Sequence, residues 1–409
     1  MILVTVFFLV YTIFRFKEAV LLTAATLIFM NNLMSGIPDV KLFYIVALFQ
    51  ILVFFLKGYN HTYKGEQFPL LILLPLILNF IEYVACDYSN KWHYLSVTLV
   101  STISYFFFPF VFWHTIETIN DVVSFCKKIL TFFLFVGCYA LVEVSLGYNI
   151  LTQWANEVGV MVGEGGVNTA ERFGITRCNS ILPWCSALGM NSALVLTVLM
   201  FLNYYRYKFV KFEKIMIFLL PICVLLSGTR AQFVVFSICF IGMLPLITEH
   251  RAKYFKIIFW SLFCLIILAI PFIPHLLNTI TNIGGSDTDM RMRQLEISLY
   301  YWNQSPWVGH GLRFIGEYVK PDNPDIYGAE SIVFVMLMER GLLGLIGYYL
   351  IALCLSIWCF KHFKPLAIVP IAFAVGKTMG AVIGVEYVIP LTLCILCVKA
   401  QVLKIQIIK

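Results

Sequence analysis

The chain has 409 residues, of which 61% are hydrophobic and 12% are charged, and its formal net charge is +7. Soluble domains contain about 25% charged residues, so this composition excludes a soluble globular protein. One bilayer crossing takes about 20 apolar residues, and the apolar content therefore suffices for about a dozen membrane-spanning helices. The Lys and Arg residues are spread over many short segments, a distribution that favours orientation in a membrane over binding to nucleic acid.

Apolar runs predict about twelve or thirteen spans in a single transmembrane domain, residues 1–409. The runs fall near 2–14, 19–35, 41–56, 68–86, 94–113, 128–147, 181–203, 214–227, 231–248, 257–275, 331–359, 364–381 and 385–401. Basic residues, among them Lys127 and Lys128, occupy alternate loops, which the positive-inside rule assigns to the cytoplasm. Two long loops, 148–180 and 276–330, are then predicted outside, while the side of the N-terminus is left open. Long loops are uncommon unless they bind or catalyse.

The turn Ser227-Gly228-Thr229-Arg230 separates two short apolar runs and predicts a hairpin whose Arg230 lies near the outer interface. A snorkelling arginine is the alternative, but the positive-inside bias argues against a lone outer arginine that only sets topology. A guanidinium group binds phosphate oxygens through two parallel hydrogen bonds and stays charged at any relevant pH. We therefore expect Arg230 to bind an anionic lipid head group.

The first outer loop adds Arg172 and Arg177, shortly before a helix predicted from about Ser180. Phosphate binding and a local ion pair with Glu171 are equally compatible with Arg172. In the second loop, residues 289–302 predict a short amphipathic helix on the membrane surface.

Arg291 shares the face of Leu295 and Leu299. Arg293 lies about 200° away around the predicted helix, where we favour a surface ion pair with Glu296. Asp287 and Asp289 copy a spacing that can hold a divalent cation, although any acid-rich loop produces it by chance, and we expect no metal site.

The turn Pro306-Trp307-Val308-Gly309-His310-Gly311 follows, with glycines that permit close backbone approach, and Arg313 comes directly after it. His310 is a candidate base, but a lone loop histidine is more often simply solvated. Later in the chain, Lys377 and Glu386 lie beside a close-packing glycine pattern, and we expect them to form an internal ion pair.

Glu330 precedes the helix predicted over 331–359, which contains Gly341-Leu342-Leu343-Gly344. A partly desolvated carboxylate at this position would have a raised pKa and could act as a general base. The alternative is a helix N-terminal acid that interacts favourably with the helix dipole.

These motifs, in this order, resemble the O-antigen polymerase and ligase superfamily. The resemblance rests on the 227–230 hairpin, Arg291, the 306–311 turn and the glycines at 341 and 344, and the Arg172-x-Gly174 pattern with Asn179 resembles the family's earlier outer loop. It covers about residues 170–350. The family pattern implies an all-α, multi-pass glycosyltransferase of the GT-C type in the bacterial inner membrane, with its active site facing the periplasm.

The resemblance further implies a role in lipopolysaccharide biosynthesis, with sugars carried on undecaprenyl diphosphate and neither a cofactor nor a metal. Arg230 and Arg291 would hold the diphosphate. Arg172, Arg177, Arg313, Gly309, His310 and Gly311 are the further substrate-binding candidates. A polysaccharide chain-length regulator is a possible partner.

Ligases of this family open the helix after the second loop with a histidine, whereas this chain has Glu330. We therefore expect an inverting polymerase, in which Glu330 is the candidate base. One alternative is a ligase that transfers glycan to lipid A core or to a protein. The other is a lipid-linked sugar flippase or transporter. Transporters usually show paired repeats or broken helices at the midplane with polar residues concentrated there, whereas the unusual polar residues of this chain lie in the predicted outer loops, so we disfavour this alternative.

Overall fold

The computed structural model describes residues 2–30, 41–57, 108–157, 171–172, 175–182, 185–205, 207–244, 288–311, 313–326, 331–380 and 388–408. Within these ranges the fold is helical apart from one pair of two-residue strands, consistent with an α-helical membrane protein.

The first half contains α1 (Ile2–Phe14), α2 (Phe16–Met30), α3 (Lys41–Leu56), helical residues 108–115, α4 (Ile119–Leu146), α5 (Ile150–Glu157), β1 (Glu171–Arg172) and β2 (Ile175–Thr176). The second half contains α6 (Cys185–Tyr204), α7 (Lys211–Leu226), α8 (Arg230–Met243), α9 (Thr288–Gln304), a π-helix (Ile315–Val319) continued by Lys320–Asp322, a 3-10 turn (Pro324–Ile326), α10 (Ile332–His362), a 3-10 turn (Lys364–Ala367), α11 (Ile368–Met379) and α12 (Val388–Ile408).

Three helices in the described ranges, α4, α6 and α10, are long and apolar enough to cross a membrane. Shorter apolar stretches lie in α1, α3, α8 and α12. The predicted spans at 68–86 and 257–275, and most of 94–113, fall outside the described residues. The expected total of twelve or thirteen spans, the single-domain assignment and the loop boundaries therefore stay predictions.

The core is built around α6, whose residues are almost all buried. It packs against α4, α7, α8, α11 and α12, so a helix that is apolar on every side finds a neighbour on every side. Glycines let the backbones approach where α8 lies between α6 and α11. A Cβ on Gly189 would lie 2.6 Å from Cβ of Gln232, and one on Gly376 would collide with Val235. The close-packing role expected for the late glycine pattern is thus seen at Gly376.

The start of α4 corrects the predicted boundary of that span. Lys127 and Lys128 were expected in a cytoplasmic loop, but the helix begins at Ile119 and contains both. Its start is fixed by a capping box, in which Thr118 accepts from the backbone N–H of Asp121 and the Asp121 carboxylate accepts from the N–H of Thr118. Polar residues thus extend the helix beyond its apolar run.

Ion pairs join this end of α4 to the start of α2. Lys17 Nζ lies 2.8 Å from the Asp121 carboxylate, and Lys128 Nζ lies 2.9 Å from that of Glu18. The basic residues at 17 and 128, both predicted on the cytoplasmic side, therefore lie at the same end of the bundle.

A second correction concerns α10, which was expected to be continuous. Gly341 adopts φ 60° and ψ −162°, so the helix is broken about nine residues after it begins. The 306–311 turn inserts at this break and restores the lost backbone hydrogen bonds. The bonds run from His310 N to Met338 O (2.9 Å), Gly311 N to Glu339 O (2.8 Å), Leu342 N to Pro306 O (2.9 Å) and Leu343 N to Trp307 O (3.1 Å).

Two glycines face each other across this junction, which we call the α10 break. A Cβ on Gly309 would lie 2.5 Å from the backbone N of Arg340, and a Cβ on Gly341 would lie 2.5 Å from the carbonyl carbon of Trp307. Both residues also have φ near +60°, a left-handed conformation that other residues adopt at a cost. Glycine is therefore needed at both positions.

We predict that Gly341→Ala and Gly309→Ala each lower the melting temperature of the protein purified in detergent. The left-handed backbone alone costs about 1–2 kcal/mol, and the backbones must also move apart. Gly316→Ala is the matched control, since a Cβ there meets nothing within 4 Å. A Gly341→Ala variant that melts like the unmodified protein would contradict the close packing at the break.

Candidate functional site

The predicted hairpin turn is present between α7 and α8. α7 ends at Leu226, Gly228 takes a left-handed conformation, and α8 begins at Arg230. Ser227 Oγ donates to the carbonyl of Val224 at 2.7 Å and lies 2.6 Å from the hydroxyl of Thr229. These bonds hold the turn, and Arg230 projects from it as an exposed side chain.

The beginning of α8 favours an anion. Thr229 occupies the N-cap position, but its side chain makes no capping hydrogen bond to the helix. The first backbone N–H groups of a helix lack intrahelical acceptors, and the helix dipole is positive at this end. The Arg230 guanidinium adds a full positive charge to the same end of the helix.

Arg177, from the end of the first outer loop, lies against this turn. Its Nε donates to the carbonyl of Ser227 at 3.4 Å, and its Cγ lies 2.9 Å from where a Cβ on Gly228 would be. The next residue, Cys178, donates its backbone N–H to the carbonyl of Leu226 at 2.9 Å. The structure thus brings Arg177 into contact with the turn that ends at Arg230, so two arginines predicted to bind phosphate meet the same turn from separate segments of the chain.

The start of α10 and the end of α11 lie at the same end of the bundle. Gly380 faces Ala231 in the first turn of α8, with 3.6 Å between a Cβ on the glycine and the alanine Cβ. Ser331 Oγ donates to the carbonyl of Thr378 at 2.8 Å, and the hydroxyl of Tyr349 lies 2.6 Å from that of Thr378. We call this end, with the 227–230 turn and Arg177, the hairpin site.

Two buried polar side chains at the hairpin site were not predicted to belong to it. Lys377 is buried, with its Nζ 5.6 Å from the centre of the Phe373 ring, while its expected partner Glu386 lies outside the described residues. The amide oxygen of Gln232 is buried and has no hydrogen-bond partner among the residues the structure describes. A polar side chain buried in an apolar helix is costly and therefore suggests a function. This signal in the sequence would have identified Gln232.

The second outer loop places its arginines differently from the prediction. The expected helix is present as α9, and it packs chiefly against α10 and the Pro324–Ile326 turn. Its most buried side chains are the polar Gln294 and Ser298, while Arg291, Arg293 and Leu299 are exposed. Both arginine side chains are exposed, so their exposure does not separate the different roles expected for Arg291 and Arg293, which stay a prediction.

The 306–311 turn makes its described contacts within the protein. His310 Nε2 lies 2.8 Å from the carbonyl oxygen of Tyr301, which requires the proton on Nε2, and its ring stacks on Phe314 at 4.3 Å. Gly309 and Gly311 are used at the α10 break. These contacts give the three residues a structural role, and substrate binding by them stays a prediction.

Arg313 is exposed and has a left-handed backbone, with φ of 66°. Of the other candidates, Arg172 pairs through its backbone with Ile175 in the β1–β2 hairpin, and the Glu330 base lies outside the described residues. Ser331 is the first described residue after it and caps α10 by accepting from the N–H of Val333 at 3.3 Å. The described residues contain no group of three His, Cys, Asp or Glu side chains able to hold a metal ion.

The chain was also compared with known proteins. The family model for O-antigen ligase matches residues 215–349. This span, about one third of the chain, runs from α7 through the hairpin turn and the α10 break. The match supports the O-antigen ligase and polymerase superfamily without distinguishing the two activities, and no curated protein matches the chain.

We predict that Gly228→Ala impairs the hairpin site more than Gly147→Ala does. Both glycines have a left-handed φ, so both variants incur about 1–2 kcal/mol of backbone strain. Only at Gly228 would the new Cβ press on Arg177, because a Cβ at Gly147 meets nothing within 4 Å. The check is glycan transfer per folded molecule in the two variants. Equal activities would mean that the position of Arg177 on the turn is unimportant.

Proposed function

We propose that the protein is a membrane polysaccharide polymerase that joins oligosaccharide repeats carried on undecaprenyl diphosphate. The proposal includes the periplasmic face of the bacterial inner membrane as the place of reaction and a GT-C-like architecture. The observation that carries it is the contact of Arg177 with the turn at which Arg230 begins α8, a helix start that no side chain caps. Such a site suits a diphosphate, which carries negative charge and many acceptor oxygens.

In the proposed reaction, a sugar hydroxyl at the free end of one lipid-linked repeat attacks the anomeric carbon of a second glycan chain. The new glycosidic C–O bond forms as the C–O bond to the diphosphate breaks, and the bond electrons leave with undecaprenyl diphosphate. Direct displacement inverts the anomeric centre. Fixed arginines beside the leaving group would stabilise its growing charge, which is commonly the largest catalytic contribution.

The hydroxyl proton needs an acceptor, and Glu330 is our candidate. The residue described next in the chain, Ser331, is bonded to the end of α11 at the hairpin site. Base assistance of this kind contributes typically about 10²–10⁴-fold in rate. Ligases of the family that this chain resembles have a histidine at this position. The glutamate found here is the reason for favouring a polymerase.

A ligase is the second candidate, because the matching family model is described as O-antigen ligase. A ligase would use the same donor and the same arginines, and would differ in transferring the glycan to lipid A core or to a protein. The deciding test supplies purified protein with a two-repeat lipid-linked donor, with and without lipid A core. A ladder of longer lipid-linked products supports a polymerase, and transfer to the core alone supports a ligase.

We predict that Arg230→Ala and Arg291→Ala abolish product while the protein still inserts and accumulates, whereas Arg293→Ala has a mild effect. Lysine should rescue poorly, since its single ammonium cannot bind two phosphate oxygens in the parallel geometry of a guanidinium. Product is measured by the ladder assay and corrected for the amount of folded protein. Full activity in both Arg230→Lys and Arg291→Lys would exclude bidentate binding of the diphosphate.

We predict that Glu330→Gln keeps the fold and lipid binding but lowers turnover by about 10²–10⁴-fold, because an amide cannot accept a proton at neutral pH. If Glu330 only interacts with the helix dipole, its loss should cost at most about 1 kcal/mol of stability and leave the reaction running. Turnover and melting temperature of the purified variant separate the two. Near-normal turnover would leave His310, Asp289 or the substrate itself as the proton acceptor.

A further inference from the structure

Glu143 is a buried carboxylate in the last turns of α4, and it accepts three hydrogen bonds from consecutive residues of the first outer loop. The donors are the backbone N–H of Ser180 at 2.6 Å, the backbone N–H of Asn179 at 3.2 Å and the thiol of Cys178 at 3.0 Å. Hydrogen bonds to an ionised acceptor are about twice as strong as neutral ones. The 178–180 segment is thus held to α4 by one side chain.

Further contacts fix the same segment from its other sides. Ser180 Oγ donates to the carbonyl of Val136 at 2.6 Å, and Asn149 Nδ2 donates to the carbonyl of Ser180 at 2.7 Å. The hydroxyl of Tyr139 in turn donates to Asn149 at 3.0 Å. Ser180 has φ of 59°, an unfavourable conformation for a residue with a Cβ. Such strain persists only where the surroundings impose it, and it is commonly found at functional sites.

The segment that Glu143 holds is directly continuous with the hairpin site. Cys178 is bonded to Glu143 through its thiol and to Leu226 through its backbone N–H, and Arg177 immediately precedes it. Arg177 is therefore directly bonded to the segment that Glu143 holds, and this segment limits where Arg177 can lie on the 227–230 turn. Helix α4, which carries Glu143, also packs against α7, which leads into the 227–230 turn.

We infer that Glu143 is a positioning residue, which holds Arg177 against the hairpin turn through the 178–180 segment so that the guanidinium can bind the diphosphate. This inference rests on the proposed function, in which Arg177 contacts the substrate. Burying a carboxylate inside an apolar helix is costly, and a neutral residue would suffice for packing. The charge is accounted for by three donors that all belong to one loop segment.

The first test measures position without any glycan. In a variant in which Cys178 is the only remaining cysteine, its thiol should react slowly with a small maleimide, because burial and the neighbouring Glu143 charge both raise the pKa of Cys178. Glu143→Gln and Glu143→Ala should each increase the labelling rate on the order of tenfold or more, because the segment detaches and because the charge that raises the pKa of Cys178 is removed. Ser356→Ala, which removes a buried hydroxyl bonded to Ala367 elsewhere in the fold, should leave the rate unchanged. Unchanged labelling in Glu143→Ala would overturn the inference.

The second test is a double-mutant cycle on turnover. Glu143→Gln should lower turnover of folded protein by about 10–100-fold, the effect of a small misplacement of a binding group. If Glu143 acts through Arg177, Glu143→Gln should cost nothing further in an Arg177→Ala background. Additive losses would mean a general structural role and would overturn the inference.

A milder variant covers the case in which Glu143→Gln does not fold. Asn149→Ala loosens Ser180 from its carbonyl side and leaves the carboxylate in place, and its loss of turnover should likewise vanish in the Arg177→Ala background. The two proposals fail separately. Faster labelling of Cys178 together with normal turnover in Arg177→Ala would reject the substrate role of Arg177 and leave the anchoring by Glu143 intact.

Discussion

The arrangement of the second outer loop depends on the hydrogen bonds exchanged at the α10 break. A break in a buried part of a helix deprives backbone groups of their helical partners, and buried backbone groups without hydrogen bonds are costly. The 306–311 turn supplies two donors and two acceptors to the helix on either side of Gly341. A Cβ at Gly309 or Gly341 would meet backbone atoms of the other segment, so changing neighbouring side chains cannot make room for it. The turn, which directly follows α9, then fixes where α9 packs against α10.

The end of the first long loop is held by the buried carboxylate of Glu143, which explains how this loop and the 227–230 turn come to lie together. Glu143 binds the 178–180 segment, and that segment brings Arg177 to a turn about fifty residues further along the chain. Arg177 and Arg230 therefore rest on packed helices α4, α7 and α8. Catalysis by fixed charges depends on this kind of support, because groups held in place need not reorganise as the leaving group gains charge.

The sequence predicted what local patterns determine. The 227–230 turn, the helix predicted over 289–302 and the apolar runs of α6 and α10 are present, because chain reversal and hydrophobic periodicity are encoded within a few residues. It did not predict the break at Gly341, since a glycine within a helical pattern costs only about 1 kcal/mol and its partner turn lies thirty residues away. The start of α4 was missed because a capping box outweighed the apolar boundary. Glu143 was missed although a buried acid in an apolar run is a signal that a single sequence provides.

The break also bears on the choice between a transporter and a transferase. Broken helices in transporters present half-helix ends to the substrate, and α10 is itself broken at Gly341. The ends at this break, however, are bonded to the protein's own 306–311 turn. The start of α8 also lacks a capping side chain, and Arg230 is exposed there at one end of the bundle. If the start of α8 binds an anion as proposed, its place at the bundle end favours reaction at a lipid head group over passage of a substrate between helices.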